Sequence, residues 1–284
     1  MDIVQKLRQE IPNLPKKLAL AARYAVDYPD QIALNSMRSA ANTVGVTSTT
    51  MLRLARQLGF ENYEDFKASF QTQLISTGFG ARAGALHRPD GDATSSVLSE
   101  RLLASSKENL RLTLSATNLA NLSDVAHLIR DAPKCLLVGS GAAYVMATLM
   151  KATGSMILPN LRVIGPEYAV AAEDIGTLCD ADVVIGIGLN PCATRTVDAL
   201  KFSKAQGARI IAMTDRPSSP LVEHADFALF AETSSPHYYP SLGAMVGLIE
   251  TLLATVVAEG DEEEQRRIND FEKRRKLAGR YIEY

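Results

Sequence analysis

The sequence has few cysteines, few histidines and no long apolar run. Its three cysteines, Cys135, Cys179 and Cys192, show no paired spacing, so a disulfide scaffold is not expected and a reducing cytoplasm fits. The four histidines lack metal-ligand spacing, and we expect neither a metal nor a cofactor. Apolar stretches end well short of the roughly 18–20 residues of a membrane span, and no signal peptide is visible. These absences predict a cytoplasmic protein without a membrane partner.

The chain also lacks a strong excess of charge of either sign. Its formal net charge is −2 over 284 residues, so any nucleic-acid surface must be local rather than spread over the whole protein. Residues 1–77 contain nine lysines and arginines against seven aspartates and glutamates, a net charge of +2, and the remainder carries −4. The length is sufficient for two modest domains.

Two different hydrophobic periods divide the chain. Residues 1–77 have apolar residues at helical spacing, and residues 78–104 form a predicted linker in which Gly, Pro and Asp break the pattern. The second predicted domain covers residues 105–260. Residues 96–130 again have helical spacing, and from Pro133 short apolar runs alternate with helix-like segments, which predicts a parallel sheet covered by helices on both faces. Five strands are expected, at 135–139, 161–165, 182–188, 209–215 and 226–231. Residues 261–284 are dense in both charge signs and predict a charged helical tail.

Residues 36–60, SMRSAANTVGVTSTTMLRLARQLGF, have the layout of a helix-turn-helix motif. A short helix over 34–43 is followed by Gly45, where a positive φ costs no Cβ clash. Thr47 or Ser48 then caps the second helix through a side-chain oxygen. An ordinary hairpin of two helices is the alternative, because periodicity alone does not distinguish the two.

The second helix of this motif carries hydroxyls and arginines on its outer face. Such side chains on the first turns of a recognition helix reach base edges and phosphates in the major groove. We expect Arg53 and Thr49 to lie near bases, and Arg56 and Lys67 to contact phosphates. The predicted DNA-binding residues are Thr47, Ser48, Thr49, Thr50, Arg53, Arg56 and Lys67.

Residues 28–71 resemble the N-terminal domain of the RpiR/MurR family of bacterial transcriptional regulators. The residues that carry the resemblance are Ala40–Ala41, Gly45–Val46–Thr47, Thr50, Arg53, Leu58–Gly59–Phe60, Tyr63 and Phe66–Lys67. The second half is similar to the SIS domain that this family places after its DNA-binding domain. The resemblance implies an all-α helix-turn-helix domain followed by an α/β SIS domain with a five-stranded parallel sheet. It also implies a double-stranded DNA operator and a homodimer or homotetramer.

Two loops of the second half are candidates for a ligand site. After the first predicted strand, Gly139, Ser140 and Gly141 are expected to bring backbone N–H groups near a ligand. After the third strand, SIS domains similar to this one carry I-S-x-S-G-x-T, whose hydroxyls hold a sugar phosphate. This chain reads IGLNPCA there, over residues 187–193, so the serines, the glycine and the threonine of that pattern are replaced.

Several groups on this second loop still favour a ligand. Asn190, Thr194 and Thr196 supply polar side chains, and Arg195 offers a charge-assisted grip on a carboxylate or phosphate. Pro191 is expected at or near the first helical position, where the following amides favour an anion. The same helix start would favour a thiolate at Cys192. We therefore favour a changed ligand over the loss of binding, which is the alternative.

Residues 233–245, TSSPHYYPSLGAM, form a third candidate segment. It resembles a Ser/aromatic/Pro form found in a branch of RpiR-like regulators that also lacks the serine-rich loop. Ser235, His237 and Tyr238 are predicted to bind a polar ligand. The rings of His237, Tyr238 and Tyr239 are able to stack on such a ligand and form hydrogen bonds with it. Packing of Tyr238 and Tyr239 in a dimer interface is the alternative.

Together these features predict a transcriptional regulator whose SIS domain dimerises and senses a sugar phosphate, a sugar acid or an amino sugar. Two alternatives stay open. A ligand-independent regulator would use its SIS domain for dimerisation only. A sugar-phosphate isomerase would need a positioned acid and base, and no motif pairs such residues, so we predict no catalytic residue.

Overall fold

The computed structural model describes residues 3–76, 79–86, 95–165 and 175–279. The chain divides into two compact units. The first comprises Met1–Arg101 and Pro236–Tyr239, and the second comprises Leu102–Ser235 and Pro240–Tyr284.

The first unit is built from helices alone among its described residues. These helices are α1 (Ile3–Glu10), α2 (Lys16–Asp27), α3 (Pro29–Leu34), α4 (Met37–Val44), α5 (Ser48–Gln57), α6 (Tyr63–Ser76) and α7 (Phe79–Leu86). Their core combines small alanines of α2 with Met51 and Leu54 of α5 and with Phe66 and Phe70 of α6. The alanines let α5 approach α2 closely, and the aromatic rings fill the remaining space.

The turn between α4 and α5 has the predicted chemistry. Gly45 ends α4 with φ 74°, in the left-handed region, and Thr47 caps α5 by accepting a hydrogen bond from the backbone N–H of Thr50 at 3.2 Å. The expected start of the first helix at residue 34 is wrong. A separate helix, α3, ends at Leu34, and α4 begins only after Ser36, whose side chain accepts a bond from the N–H of Ser39.

The predicted linker at 78–104 is helical where the structure describes it. It contains α7, and α8 (Ser95–Thr113) begins within it and continues into the second unit. Residues 87–94 lie outside the described part of the chain. The domain boundaries drawn from the sequence therefore stay predictions.

The second unit contains the expected five-stranded sheet, all of it parallel. The strands are β1 (Cys135–Gly139), β2 (Leu161–Val163), β3 (Val183–Gly188), β4 (Arg209–Thr214) and β5 (Phe227–Phe230), in the spatial order β2-β1-β3-β4-β5. The helices that accompany them are α9 (Leu122–Asp131), α10 (Ala142–Gly154), α11 (Thr194–Ala205), α12 (Gly243–Ala258) and α13 (Glu262–Ala278). The predicted fold class is confirmed.

Alternate residues of each central strand face opposite layers of core. In β1, Leu137 packs with residues of α9, α10 and α12, while Leu136 packs with Ala199 and Leu200 of α11. All five residues of β1 are buried, as expected for a parallel sheet covered on both faces. This arrangement places the carboxyl ends of β1 and β3 side by side at one edge of the sheet.

The last helix is fixed to the second unit. Asp261 and Glu264 form a capping box at the start of α13, and Arg267 donates from Nη1 to the carbonyl oxygen of Ile157 at 3.0 Å. No single helix in the described ranges is long and apolar enough to cross a membrane. Only α12 and α13 taken together reach that length and composition, and the chain bends by 114° between them.

Candidate functional site

Helix α5 presents its polar side chains to solvent. Met51, Leu54 and Ala55 are buried on its inner face. On the outer side, Arg53 and Arg56 are exposed and make no hydrogen bond or ion pair among the described residues. Of the remaining predicted DNA-binding residues, Thr47 and Thr49 are exposed, and Ser48, Thr50 and Lys67 are partly buried. The arginines are therefore available to another molecule.

Both ends of α5 are held by side chains. At its start, the hydroxyls of Thr47 and Thr50 are 3.0 Å apart, so these two groups serve the cap. At its end, Lys6 of α1 donates from Nζ to the carbonyl oxygen of Leu58 at 2.8 Å. Sequence reasoning missed Lys6, because its partner lies 52 positions away and no local pattern links the two. A cation at this end is also favoured by the helix dipole.

The loop after β1 makes a close turn into α10. A Cβ on Gly139 would lie 2.7 Å from the backbone carbonyl atoms of Ala143, so only glycine fits there. Gly141 has φ 59° and ψ −126°, a conformation that is open to glycine. Ser140 Oγ lies 3.4 Å from Thr196 Oγ1 of α11. The structure thus brings the two predicted loops together at the carboxyl edge of the sheet.

The loop after β3 differs from the expectation in where its helix begins. The peptide bond between Asn190 and Pro191 is cis, and α11 starts at Thr194 with Ala193 as its N-cap. The prediction that Pro191 lies at or near the first helical position is wrong, because Cys192 and Ala193 lie between Pro191 and Thr194, and Ala193 has extended backbone angles. Asn190, Thr194 and Arg195 are all exposed.

Cys192 does not have the environment expected for a thiolate. Burial raises the pKa of its thiol above the ordinary value, and the negative charge of Asp215 raises the pKa further. The predicted preference for a thiolate at this loop is therefore wrong. Asp215 follows β4, and its side chain is only 3% exposed. It accepts from Nε and Nη2 of Arg216 at 3.1 and 2.8 Å.

The third candidate segment is held at its beginning by α8. The carbonyl oxygen of Ser234 accepts hydrogen bonds from Ser105 Oγ and Asn109 Nδ2, each at 2.7 Å. The N–H of Glu232 donates to Thr113 Oγ1 at 2.9 Å. Asn109 and Thr113 are buried polar residues that sequence reasoning missed, since their partners lie more than a hundred positions away.

The three predicted ligand residues of this segment fall in different units. Ser235 is part of the second unit, whereas His237 and Tyr238 are part of the first. His237 and Tyr238 are exposed, and their ring centroids lie 4.1 Å apart. His237 Nδ1 accepts a hydrogen bond from the N–H of Tyr239 at 3.1 Å.

The described ranges contain no group of three or more His, Cys, Asp and Glu side chains placed to hold a metal ion. The chemistry of the sheet edge is that of hydroxyls, an amide and a guanidinium.

The sheet and its helices match a known domain. Residues 128–258 match the SIS domain family. This part of the chain is a SIS domain. The candidate edge at β1 and β3 therefore belongs to the SIS domain, as the resemblance in sequence predicted.

Similarity extends beyond the SIS domain. The chain is 23% identical over 231 residues to a protein of Haemophilus influenzae described as an uncharacterised HTH-type transcriptional regulator. The alignment covers 80% of this chain and 79% of that protein. The predicted resemblance to regulators of this kind is confirmed.

Two solved structures share the fold. The sugar isomerase domain of an RpiR transcription factor from Sphaerobacter thermophilus gives a TM-score of 0.58 at 22% identity, covering 62% of this chain and 98% of that domain. The Vibrio vulnificus NanR protein complexed with ManNAc-6P gives a TM-score of 0.57 at 16% identity, covering 95% of this chain and 96% of that one. At these identities, the likeness concerns the fold alone.

Proposed function

We propose that this chain is a DNA-binding transcriptional regulator, not an enzyme, whose SIS domain binds a sugar-derived effector and dimerises. The observation that carries the DNA-binding part is the outer face of α5, where Arg53 and Arg56 are exposed without a partner among the described residues. The name of the Haemophilus influenzae relative supports the same function. The ManNAc-6P complex of NanR supports a sugar-derived effector.

We assign DNA contacts to the predicted set on α5 and α6. Thr49 lies on the first turn of α5 and Arg53 at its middle, and both are proposed to contact bases. Arg56 and Lys67 are proposed to contact phosphates. Thr47, Ser48 and Thr50 complete the set, with the hydroxyls of Thr47 and Thr50 also capping the helix.

The effector is proposed to bind at the carboxyl edge of β1 and β3. The residues of the second unit assigned to it are Gly139, Ser140, Gly141, Asn190, Thr194, Arg195 and Ser235. His237 and Tyr238 belong to the first unit, and their ligand role stays a prediction from the sequence. An effector with different affinities for two arrangements of a homodimer or homotetramer would change DNA affinity by a coupling free energy.

Sequence-specific binding tests this function directly. The full-length chain is incubated with a random double-stranded DNA library, and the selected sequence is compared with a scrambled one. We expect Arg53→Ala to lower affinity for the selected sequence by about 1–3 kcal/mol and to change affinity for the scrambled one far less. Arg56→Ala, the matched control, should lower both alike. Equal loss for both sequences in Arg53→Ala would place Arg53 on phosphates.

A ligand-independent regulator is the second candidate, and the loop after β3 favours it. Gly188 supplies no hydroxyl to a ligand, and a side chain at this position would require Leu221 to shift. In that case no small molecule would change the DNA affinity of the chain.

A further inference from the structure

The carboxyl end of β3 is filled by protein side chains. A Cβ on Gly188 would lie 2.8 Å from Leu221 Cδ1 and 3.1 Å from Cys192 Sγ. Leu221 is completely buried and comes from the connection between β4 and β5. The chain has glycine at position 188 and so supplies no hydroxyl there, and a larger residue would require the side chain of Leu221 to shift.

The pKa of Cys192 indicates whether its surroundings favour a negative charge. A thiolate is an anion, and thiols in surroundings that favour anions have lowered pKa values. The thiol of Cys192 lies two residues before α11, yet burial and the charge of Asp215 raise its pKa. Burial and the charge of Asp215 thus disfavour a negative charge at the position of the Cys192 sulfur.

The guanidinium of Arg216 is already engaged at this place. Both its Nε and its Nη2 donate to Oδ2 of Asp215, whose side chain is almost fully buried. Transfer of Arg216 to a phosphate would leave the buried carboxylate without its charged partner, with only a long hydrogen bond of 3.4 Å from Thr214 Oγ1, which is unfavourable. Pro191 has no N–H, so the loop also offers one backbone donor fewer to an anion.

Neutral hydrogen-bonding groups remain at the same edge. Ser140 Oγ and Thr196 Oγ1 are 3.4 Å apart, which is long for a bond between hydroxyls, so Ser140 keeps its capacity to bind a ligand. Asn190 and Thr194 are exposed on the following loop. Amides and hydroxyls both donate and accept, as the hydroxyls of a sugar require.

We propose that this edge binds an unphosphorylated polyol, a sugar or amino sugar without a phosphate, and rejects its phosphate ester. The proposal rests on the proposed function, in which the edge holds the effector. Ser140, Asn190 and Thr194 bind hydroxyl groups of the polyol.

Thermal unfolding of the full-length chain tests the proposal, since a ligand that binds only the folded state raises the unfolding midpoint. The probes are N-acetylmannosamine, N-acetylglucosamine, glucosamine, glucose and fructose, each with and without its phosphate ester, and inorganic phosphate alone. We expect an unphosphorylated member to raise the midpoint with increasing concentration, and its ester and inorganic phosphate to leave it unchanged. Ser140→Ala should remove the shift.

Two results would overturn the proposal. A phosphate ester that raises the midpoint more than its unphosphorylated partner would show that the edge accepts phosphate. A panel in which no unphosphorylated member raises it would refute a polyol site. In the first case the effector-binding function stands and only this inference fails. In the second case this inference fails and the ligand-independent regulator is favoured, while sequence-specific DNA binding is measured separately.

A variant that gains phosphate binding tests whether the ion pair of Asp215 and Arg216 is the reason why phosphate is rejected. Asp215→Asn removes the charge beside Cys192 and releases Arg216, so inorganic phosphate should raise the midpoint of this variant. Asp198→Asn removes an equal charge from the exposed side of α11 and is the matched control, with no response expected. For each variant, the unfolding midpoint with phosphate is compared with its midpoint without phosphate. A lower stability of the variant itself therefore does not affect the comparison. An Asp215→Asn protein that ignores phosphate contradicts the role given to this ion pair. If that variant does not fold, the wild-type panel still decides.

Discussion

At the scale of single residues, the candidate sites depend on which polar groups are already engaged. Arg53 and Arg56 have no partner among the described residues, whereas Arg216 is held by Asp215. The sequence does not distinguish these arginines from one another. Within the described ranges, the fold shows which of these guanidinium groups are exposed without a partner and which one already forms an ion pair. The DNA-binding proposal depends on the exposed Arg53 and Arg56, and the polyol proposal depends on the ion pair between Arg216 and Asp215.

Cys192 should react slowly with thiol reagents. Its pKa is raised, so at neutral pH a smaller fraction is thiolate than for an ordinary thiol, and the fraction grows only as the pH rises beyond the usual range. We expect iodoacetamide to modify exposed Cys179 before Cys192, and buried Cys135 last. Asp215→Asn should speed the reaction of Cys192, because it removes a negative charge. Mass spectrometry of timed samples from neutral to alkaline pH measures these rates. Equal rates for Cys179 and Cys192 at neutral pH would contradict the assigned environment.

At the scale of elements, the structure follows local pattern where local pattern is decisive. The five strands lie where short apolar runs predict them, because strands buried on both faces require such runs. The start of α4 and the start of α11 were misplaced. The first depends on the cap at Ser36 and the second on a turn at residues 189–193, and neither alters the hydrophobic period.

Gly45→Ala should destabilise the first unit by about 1–2 kcal/mol. A Cβ there meets no atom within 4 Å, so the cost comes from the left-handed backbone alone. Gly84→Ala is the matched control, since Gly84 lies inside α7 and also has open space around it. It should be neutral or stabilising by up to about 1 kcal/mol, because alanine is the better helix former. Urea unfolding followed by circular dichroism measures both, and equal effects would contradict the turn geometry.

Lys6→Met should lower the unfolding free energy by weakening the contact at the C-terminal end of α5. The substitution keeps most of the aliphatic stem and removes the bond to the carbonyl of Leu58. We expect a loss of about 1 kcal/mol in unfolding free energy. Lys6→Arg should keep most of it, since a guanidinium also donates to that carbonyl. If Met and Arg variants lose the same stability, the hydrogen bond is not the cause. Urea unfolding of the two variants and the wild type provides the comparison.

At the scale of the whole molecule, two units with separate cores carry different proposed functions. DNA binding is assigned to the first unit and effector binding to the second. The sequence predicted both fold types, because a period of 3.6 gives way to short apolar runs near residue 133. It did not identify Asn109 and Thr113 of α8, which hold residues 232–234. Such contacts join residues that are far apart in the chain, and no local sequence pattern predicts them.

Two or four chains should bind each DNA site. A recognition helix reads one half-site, so a dimer matches a site with two-fold symmetry and half-sites about one helical turn apart. We expect the selected DNA to be a palindrome or near-palindrome, and sedimentation of the complex to give two or four chains per duplex. One chain bound to a site without symmetry would contradict dimeric recognition.

The salt dependence of DNA binding tests the central claim most directly. The affinity of the full-length chain for its selected DNA is measured by fluorescence anisotropy at increasing salt concentrations. We expect sequence-specific binding whose logarithm falls linearly with the logarithm of salt concentration, and a slope that becomes smaller by about 0.9 in Arg56→Ala, if Arg56 contacts one phosphate. Binding that is independent of both sequence and salt would contradict the claim that α5 reads DNA.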